Sequence, residues 1–132
     1  KLGITPKTAI IRIKKLQDEE TIVGYRPLLN LQKIEYVSNL LLIRYHNITV
    51  ELENRLINYL KMLPNVVGIV KTLGEWDIEI EMEVKNTKDF RKIEIELRQK
   101  FSSLIHKIRS IPIYDTYKKT FFPKFLIDKP TQ

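Results

Sequence analysis

Three carboxylates recur at every second position of one short segment. Glu79, Glu81 and Glu83 therefore share one face of a predicted strand and superficially resemble a metal-binding or acid–base cluster. Hard cations usually take ligands that converge from several elements, whereas these three carboxylates come from one strand. We therefore predict ordinary salt bridges rather than a metal site. The candidate cross-strand partners are Arg44, Lys71 and Lys118.

The histidines and cysteines offer no catalytic or metal-binding pattern. His46 and His106 are the only histidines, and they fall in different predicted elements without ligand spacing. The chain has no Cys, which removes disulfides, thiolate zinc sites and Cys nucleophiles, and this fits a cytoplasmic protein. Because no group is arranged for covalent or acid–base chemistry, we predict a protein that is not an enzyme and uses no metal or cofactor.

The first thirty residues contain a predicted helix with two different sides. Thr5 is a good N-cap, and Pro6 suits the first helical position. Ala9, Ile13 and Leu16 then form an apolar stripe. The opposite side carries Lys7, Thr8, Ile11, Arg12 and Lys15. The cap, the stripe and the basic side together favour a helix that contacts double-stranded DNA over an ordinary solvated face.

The side chains of this helix suit different parts of DNA. Arg12 and Thr8 can reach base edges, while Lys7 and Lys15 suit phosphates. Ile11 is unusual on a solvated face, and it fits either a thymine methyl group or another helix. Residues 22–27 predict a short hairpin with Gly24 at its turn, and residues 28–38 predict a partly extended connector.

In the remaining chain, the pattern of apolar residues predicts the order strand, helix and strand, and then predicts the same order a second time. The predicted strands are 40–45, 66–70, 77–85 and 111–122, and the first is apolar on both faces and therefore central. One predicted helix starts after the N-cap Thr49, and a longer one carries an apolar stripe from Phe90 to Ile108. This order predicts an α+β fold, the ferredoxin-like βαββαβ sandwich, with both helices on one face of an antiparallel sheet.

Such a sandwich leaves the second face of its sheet uncovered. Residues 40–43 are all apolar and alternate between the two faces, so two of them would lie in water. Exposed apolar patches usually mark interfaces. We therefore predict a homodimer that forms through this bare face.

Residues 74–77 form a predicted tight turn whose role is open. Gly and Asp are common in hairpin turns for backbone reasons alone. The segment Gly74, Glu75, Trp76 and Asp77 also fits a ligand-binding turn, and Trp76 fits an anchor at a subunit contact.

The charge is unevenly distributed along the 132 residues. Residues 1–34 hold seven basic and three acidic side chains, and residues 98–132 hold eight and two. Residues 35–97 hold eight basic and eleven acidic ones. Only part of the chain is therefore suited to a polyanion. No apolar run approaches the roughly 20 residues that a membrane helix needs.

The chain resembles the Lrp/AsnC family, the feast/famine transcription regulators of bacteria and archaea. The segment LGITPKTAIIRIKKLQDEETIVGYRPLLN, joined to a βαββαβ domain with Gly74-Glu-Trp-Asp77 in its central turn, carries this resemblance from Leu2 to about Phe122. It implies a winged helix-turn-helix followed by a ferredoxin-like effector-binding and oligomerisation domain. It also implies DNA binding, dimers that often assemble into octamers, and a response to amino acids.

The resemblance also assigns roles to segments of this chain. Residues 5–16 would be the recognition helix, with Tyr25 and Arg26 on the wing. The turn from Gly74 to Asp77 would line an effector pocket between dimers, with Asp77 facing an amino group. The implied divisions are the partial winged helix-turn-helix 1–27, the linker 28–38, the ferredoxin-like domain 39–122 and the tail 123–132.

Since the chain starts at the recognition helix, we expect it to be a piece of a longer regulator. The alternative is a stand-alone sensing or assembly module without DNA binding. The siroheme decarboxylases share this architecture, but the sequence has no His-rich or Arg-rich pocket pattern that would favour such an enzyme. The aromatic side chains near the end either pack back on the domain or reach a partner subunit. They are Phe121, Phe122 and Phe125, accompanied by Leu126.

Overall fold

The computed structural model describes residues 3–120 of the chain. These residues divide after Asn30 into two units. The first unit contains the helix with the basic side, and the second contains a sheet with two helices. The predicted tail, including Phe121, Phe122, Phe125 and Leu126, lies outside the described residues.

The first unit is built on helix α1, Pro6–Asp18. As predicted, Thr5 caps it, because its side-chain oxygen accepts a hydrogen bond from the backbone N–H of Thr8 at 3.2 Å. After the helix, Glu20 adopts the left-handed conformation with φ 55°. The backbone N–H of Ile22 then donates to the carbonyl of Leu16 at 2.9 Å, which closes the C-terminus.

The predicted hairpin over residues 22–27 is not formed, because residues 23–30 contain no strand. Arms of two or three residues provide few ladder hydrogen bonds, and Pro27 has no N–H to donate. An isolated pair of such arms has nothing to pack against and remains irregular.

The second unit has the predicted order β-α-β-β-α-β. A turn of 3-10 helix, Leu31–Ile34, precedes it. The strands are β1 Val37–Tyr45, β2 Val66–Lys71, β3 Ile78–Val84 and β4 Ile105–Ile113, and the helices are α2 Val50–Met62 and α3 Thr87–Lys100. All neighbouring strands are antiparallel in the order β2-β3-β1-β4, so β1 is central as predicted.

One face of the sheet forms the hydrophobic core. The apolar residues that alternate with glutamates along β3 point inward and are at most 1% exposed, as the alternation predicts. They are Ile78, Ile80, Met82 and Val84. Leu41 and Ile43 of β1 lie beside them and are fully buried. Leu56 and Leu60 of α2 and Phe90 and Leu97 of α3 belong to the same cluster. Both helices therefore cover one face, and we call the opposite one the open face.

Local signals set the ends of the two core helices. The Thr49 side chain accepts from the N–H of Leu52 at 3.2 Å, and the Asn86 side chain accepts from the N–H of Asp89 at 3.0 Å. Helix α2 ends at Met62 because Leu63 precedes Pro64 and adopts the extended conformation that proline imposes on its neighbour.

The predicted boundary between the last helix and the last strand is wrong. Helix α3 ends at Lys100, and the carbonyl of Phe101 accepts from the N–H groups of Leu104 and Ile105 in a tight turn. Leu104 and Ile108 are buried as the stripe predicts, but Leu104 lies in the turn and Ile108 on β4. Apolar spacing cannot separate these cases, because a turn followed by a strand can present the same positions to the core as a further helical turn.

The last strand accordingly starts six residues earlier than predicted and ends at Ile113 rather than Phe122. Pairing with β1 decides this, because the nine residues of β1 require a partner along their length. Residues 114–120 contain no strand. At the other end of the unit, β1 starts at Val37, two residues before the predicted domain boundary.

Candidate nucleic-acid interface and effector turn

Helix α1 brings the predicted DNA-binding residues of the helix to one side. At about 100° per residue, the five positions fall within an arc of about 140°. They are Lys7, Thr8, Ile11, Arg12 and Lys15. All except Thr8, which is half-buried, are exposed. The arrangement provides cationic groups that can meet phosphates or base edges without prior rearrangement of the backbone.

Two of these side chains already have partners in the helix. The hydroxyl of Thr8 lies 2.9 Å from the hydroxyl of Thr5, so it belongs to the N-cap network. The Lys15 ammonium lies 3.6 Å from a carboxylate oxygen of Glu19, both being well exposed. Among residues 3–120, Arg12 and Lys7 form no ion pair or hydrogen bond of this kind, and they are the groups of this side best suited to new contacts.

The apolar side of α1 stays partly exposed. Of its stripe, Ile13 is 42% exposed and Leu16 is 38% exposed, and no residue of α1 is buried. Ile11, on the basic side, is also largely exposed. An amphipathic helix gains most of its stability from burying its apolar face, so α1 presents a surface that fits a packing partner.

Tyr25 and Arg26 lie in the irregular segment after α1 rather than on a wing. Both side chains are exposed. Since residues 23–30 contain no strand, the structure does not present Arg26 on the tip of a hairpin.

Residues 72–77 connect β2 to β3 through a turn that is tied to its surroundings. Within it, Gly74 has φ 154°, a conformation that favours glycine. The Thr72 hydroxyl donates to the carbonyl of Trp76 at 2.7 Å. From β1, the Arg44 guanidinium donates to the carbonyl of Glu75 at 3.2 Å. The ammonium of Lys107 lies 5.4 Å from the centre of the Trp76 ring, which is half-buried.

Asp77 extends the pairing between β3 and β1. Its N–H donates to the carbonyl of Ile43 at 3.0 Å, and its carboxylate Oδ2 accepts from the N–H of Tyr45 at 2.7 Å. One oxygen of the predicted effector-binding carboxylate is therefore occupied by the last hydrogen bond between β1 and the start of β3. Its Oδ1 has no hydrogen-bond partner among residues 3–120.

A polar cluster near this turn is missed by the sequence patterns. The Glu53 carboxylate of α2 binds the Lys71 ammonium at 2.8 Å, while its Oε1 and the Tyr45 hydroxyl are buried without hydrogen-bond partners among residues 3–120. Burial, followed by the negative charges of Glu53 and Asp77, raises the pKa of Tyr45 well above its usual range. Glu53 precedes the buried Leu56 and Leu60 by three and seven residues, so helical spacing places it on their face, and only its residue type argued against burial.

The three glutamates of β3 lie on the open face, and their predicted partners are largely wrong. Glu81 pairs with Lys119 rather than Lys118. The register of β2 shifts between Val66 and Gly68, so Lys71 pairs with the core residue Ile78 and lies on the helix-covered face of the sheet. Its ammonium therefore binds Glu53 of α2 rather than a β3 glutamate. Arg44 binds the turn instead. Glu79 and Glu83 have no ion-pair partner among residues 3–120.

The two histidines are neighbours, although the sequence placed them apart. Their rings are 5.9 Å apart and edge-to-face, because β1 pairs with β4 beside an irregularity at Tyr45. In the described part of the chain, no three His or acidic side chains come together as a metal site.

The open face also carries a shallow depression of about 210 Å³, near Leu40, Gly68 and Glu81. This is smaller than the roughly 300–1,000 Å³ of typical small-molecule sites. Over residues 3–120, no helix is long and apolar enough to cross a membrane.

The architecture is that of a known group of regulators. An AsnC family transcriptional regulator from Agrobacterium tumefaciens superimposes with a TM-score of 0.81 at 20% identity, covering 95% of this chain and 82% of that one. The chain has the fold of the Lrp/AsnC transcription regulators. No protein-family model matches its sequence, and no curated protein matches it either.

Two further Lrp/AsnC structures show the same likeness. A transcriptional regulator from Neisseria meningitidis, in complex with L-methionine, has a TM-score of 0.82 at 14% identity, covering 95% of this chain and 81% of that one. The AsnC protein of E. coli has a TM-score of 0.74 at 17% identity, covering 91% and 79%. At these identities the likeness establishes the Lrp/AsnC fold.

Proposed function

We propose that this protein is a transcription regulator of the Lrp/AsnC type, not an enzyme, which binds double-stranded DNA through α1. The observation that carries this proposal is the joining of a capped helix with a basic side to a sheet domain of Lrp/AsnC fold. Arg12 reads base edges, whereas Lys7 and Lys15 contact phosphates. Thr8, Ile11 and Arg26 complete the proposed DNA-binding residues.

Dimerisation through the open face is the second part of the proposal. Leu40 and Leu42 lie at the centre of that face, flanked by Ile111 on β4. Contrary to the prediction that two of these residues lie in water, Leu42 is only 6% exposed within the single chain, and Leu40 and Ile111 are half-buried. An apolar strip with charged groups on both sides is typical of a subunit interface. A two-fold dimer would present two copies of α1 to two half-sites of an operator. Dimers then assemble further, for example into an octamer.

The third part concerns an amino-acid effector bound at residues 74–77. The methionine complex of the Neisseria regulator is one support for this chemistry. In this chain, Asp77 Oδ1 and the Glu75 carboxylate supply negative charge for an ammonium group, and Trp76 supplies an apolar surface. An effector can act only by binding one assembly better than another.

A binding experiment tests the DNA-binding function. Duplexes that bind the protein are selected from a random pool and titrated in fluorescence anisotropy at several salt concentrations. We expect selected duplexes to bind more tightly than scrambled ones, and affinity to fall steeply as salt rises. A dimeric protein that binds none of them would contradict the DNA-binding function and favour a sensing or assembly module.

The effector is tested by calorimetry against a panel of amino acids that includes methionine, with light scattering of the same samples. We expect one or more amino acids to bind and to shift the distribution of oligomers. Binding that persists after substitution of both Glu75 and Asp77 would place the effector elsewhere.

A further inference from the structure

The described part of the chain ends in a segment that runs back over the open face. Strand β4 lies at one edge of the sheet and ends at Ile113, which pairs with Ser38 of β1. Further along the chain, the ammonium of Lys119 pairs with Glu81 on β3, two strands away from β4. The chain therefore heads from β4 across β1 towards β2 where its described part ends.

The depression of the open face lies beside this contact, since Glu81 is one of its lining residues. Its volume is about 210 Å³, and its lining includes Leu40 of β1 and Val70 of β2, which is 56% exposed. A cavity of about 150 Å³ holds a benzene molecule, whereas typical small-molecule sites measure about 300–1,000 Å³. The depression therefore has the size of one aromatic side chain.

Gly68 leaves this space open. It pairs with Glu81 in the sheet and lines the depression. Its φ is not positive, so the backbone at this position does not require glycine. A Cβ there would lie 3.3 Å from the Cβ of Glu81, and a longer side chain would fill part of the depression. A glycine inside a strand often marks a place where another group approaches the backbone closely.

The charges around the depression are complementary to those of the residues that follow Thr120. Three carboxylates form an acidic column on β3, namely Glu79, Glu81 and Glu83. The following sequence, FFPKFLIDKPTQ, has two lysines and one aspartate, and it begins with two aromatic residues. A basic and aromatic segment thus follows directly on a lysine that is already bound to the acidic column.

An extended continuation of the chain selects the first of the two phenylalanines. Alternate residues of an extended segment point to the same side and lie about 6.6 Å apart. Lys119 is directed to the sheet, because its ammonium is bound to Glu81. Phe121 would then point to the sheet, and Phe122 away from it. In this direction the next strand is β2, about 4.8 Å beyond β3, where Gly68 pairs with Glu81.

We infer that the segment after Thr120 docks on the open face of its own chain, with the ring of Phe121 seated in the depression over Gly68. The contact is within one chain, because only Thr120 separates Phe121 from a lysine bound to Glu81 of the same chain. The inference goes beyond the proposed function and does not depend on the dimer. If two copies meet through the open face, the docked segment is part of the surface that each presents.

Crosslinking tests the position of Phe121. The chain has no Cys, so two introduced thiols define one crosslink. Val70→Cys with Phe121→Cys is expected to form an intrachain crosslink with a short bismaleimide at least about tenfold faster than Met62→Cys with Phe121→Cys, because docking raises the effective concentration of one thiol near the other. Met62 is an exposed residue at the end of α2, on the helix-covered side of the sheet. Intact-mass spectrometry separates intrachain from interchain products.

Two results of this experiment would overturn the inference. Equal rates in the two thiol pairs would show that Phe121 has no fixed place beside Val70. Products of twice the chain mass, without an intrachain product, would show that the segment reaches a partner subunit instead.

Proteolysis tests the seat without a crosslinker. Trypsin cleaves after Lys124 when the segment is released, and the cleavage rate follows the released fraction if docking is fast. Phe121→Ala is expected to raise this rate at least about tenfold, because the burial of an aromatic ring is lost. Phe122→Ala, the same change one residue later, is the matched control and should alter the rate little. Equal effects of the two substitutions, or a larger effect of Phe122→Ala, would contradict the seating of Phe121.

A third variant fills the seat from the sheet. Gly68→Leu is expected to release the segment and to raise the rate of cleavage after Lys124 in the same assay. Circular dichroism melting of this variant shows whether the sheet domain is folded. A folded Gly68→Leu protein that is cleaved no faster than the parent would show that the depression is not the seat.

Discussion

Asp77 Oδ2 accepts a hydrogen bond from the backbone N–H of Tyr45 at 2.7 Å, across 32 residues of sequence. This contact joins the turn before β3 to the end of β1. It gives the proposed effector-binding carboxylate a structural role as well, so the two roles must be separated experimentally.

Asp77→Ala and Asp77→Asn separate them. Alanine leaves the part-buried N–H of Tyr45 without its acceptor and is expected to lower the free energy of unfolding by about 1–3 kcal/mol, measured in urea. Asparagine keeps an acceptor oxygen and is expected to lower it less. Both variants should lose the calorimetric response to an amino acid, because both lack the charge that would face its ammonium group. An undiminished response in Asp77→Asn would exclude that charge from effector binding.

Arg12→Ala is expected to weaken binding to a selected duplex by about 1–3 kcal/mol in fluorescence anisotropy, because a base-edge contact is lost. Arg55→Ala is the matched control, since Arg55 is an exposed arginine of α2 in the sheet domain. It removes the same charge outside α1 and should change affinity little. Equal losses in the two variants would reduce the role of Arg12 to its net charge.

Lys7→Ala tests a phosphate contact, which predicts a different pattern. The variant should weaken binding to all duplexes by similar factors and lower the slope of log affinity against log salt by about 1. Lys61→Ala, an exposed lysine of α2, provides the control and should leave the slope unchanged. A loss confined to the selected duplex would instead assign Lys7 to base recognition.

Tyr45→Phe tests the buried hydroxyl through pH. Burial, and then the charges of Glu53 and Asp77, raises the pKa of Tyr45 above the value of about 10 expected in the unfolded chain. Above pH 10 the unfolded chain therefore loses this proton while the folded chain keeps it, so stability falls as pH rises. The free energy of unfolding should drop less between pH 8 and pH 11 in Tyr45→Phe than in the parent. At pH 8 the variant should be at least about as stable, because the lost hydroxyl has no partner among residues 3–120. An equal drop in both proteins would contradict the raised pKa.

The elements predicted correctly from the sequence are those that depend on residues close together in the chain. Thr5 and Thr49 each cap a helix through a backbone N–H three residues away, as the sequence predicts. The alternation from Ile78 to Val84 specifies a strand with one buried face, because side chains of a strand point to opposite sides in turn.

The start of β4 could not be predicted in this way. Leu104 and Ile108 continue the apolar spacing of α3, and a turn with a strand satisfies that spacing as well as a longer helix does. The choice depends on β1, about sixty residues earlier, whose hydrogen-bonding groups need a partner. The predicted hairpin after α1 is absent for a related reason. Its arms are short, and among residues 23–30 there is no further strand with which they could form hydrogen bonds.

The sequence by itself therefore determined the capped basic helix, the order of strands and helices, and the acidic column on β3. Each follows from local periodicity or from capping within one turn. Only the tertiary structure decided that Asp77 is hydrogen-bonded to Tyr45, that Glu53 is buried beside Lys71, and that Leu42 pairs with Glu79 on one side and with Arg109 on the other. These relationships join segments far apart in the chain, and pairing and burial set them through contacts that no local pattern encodes.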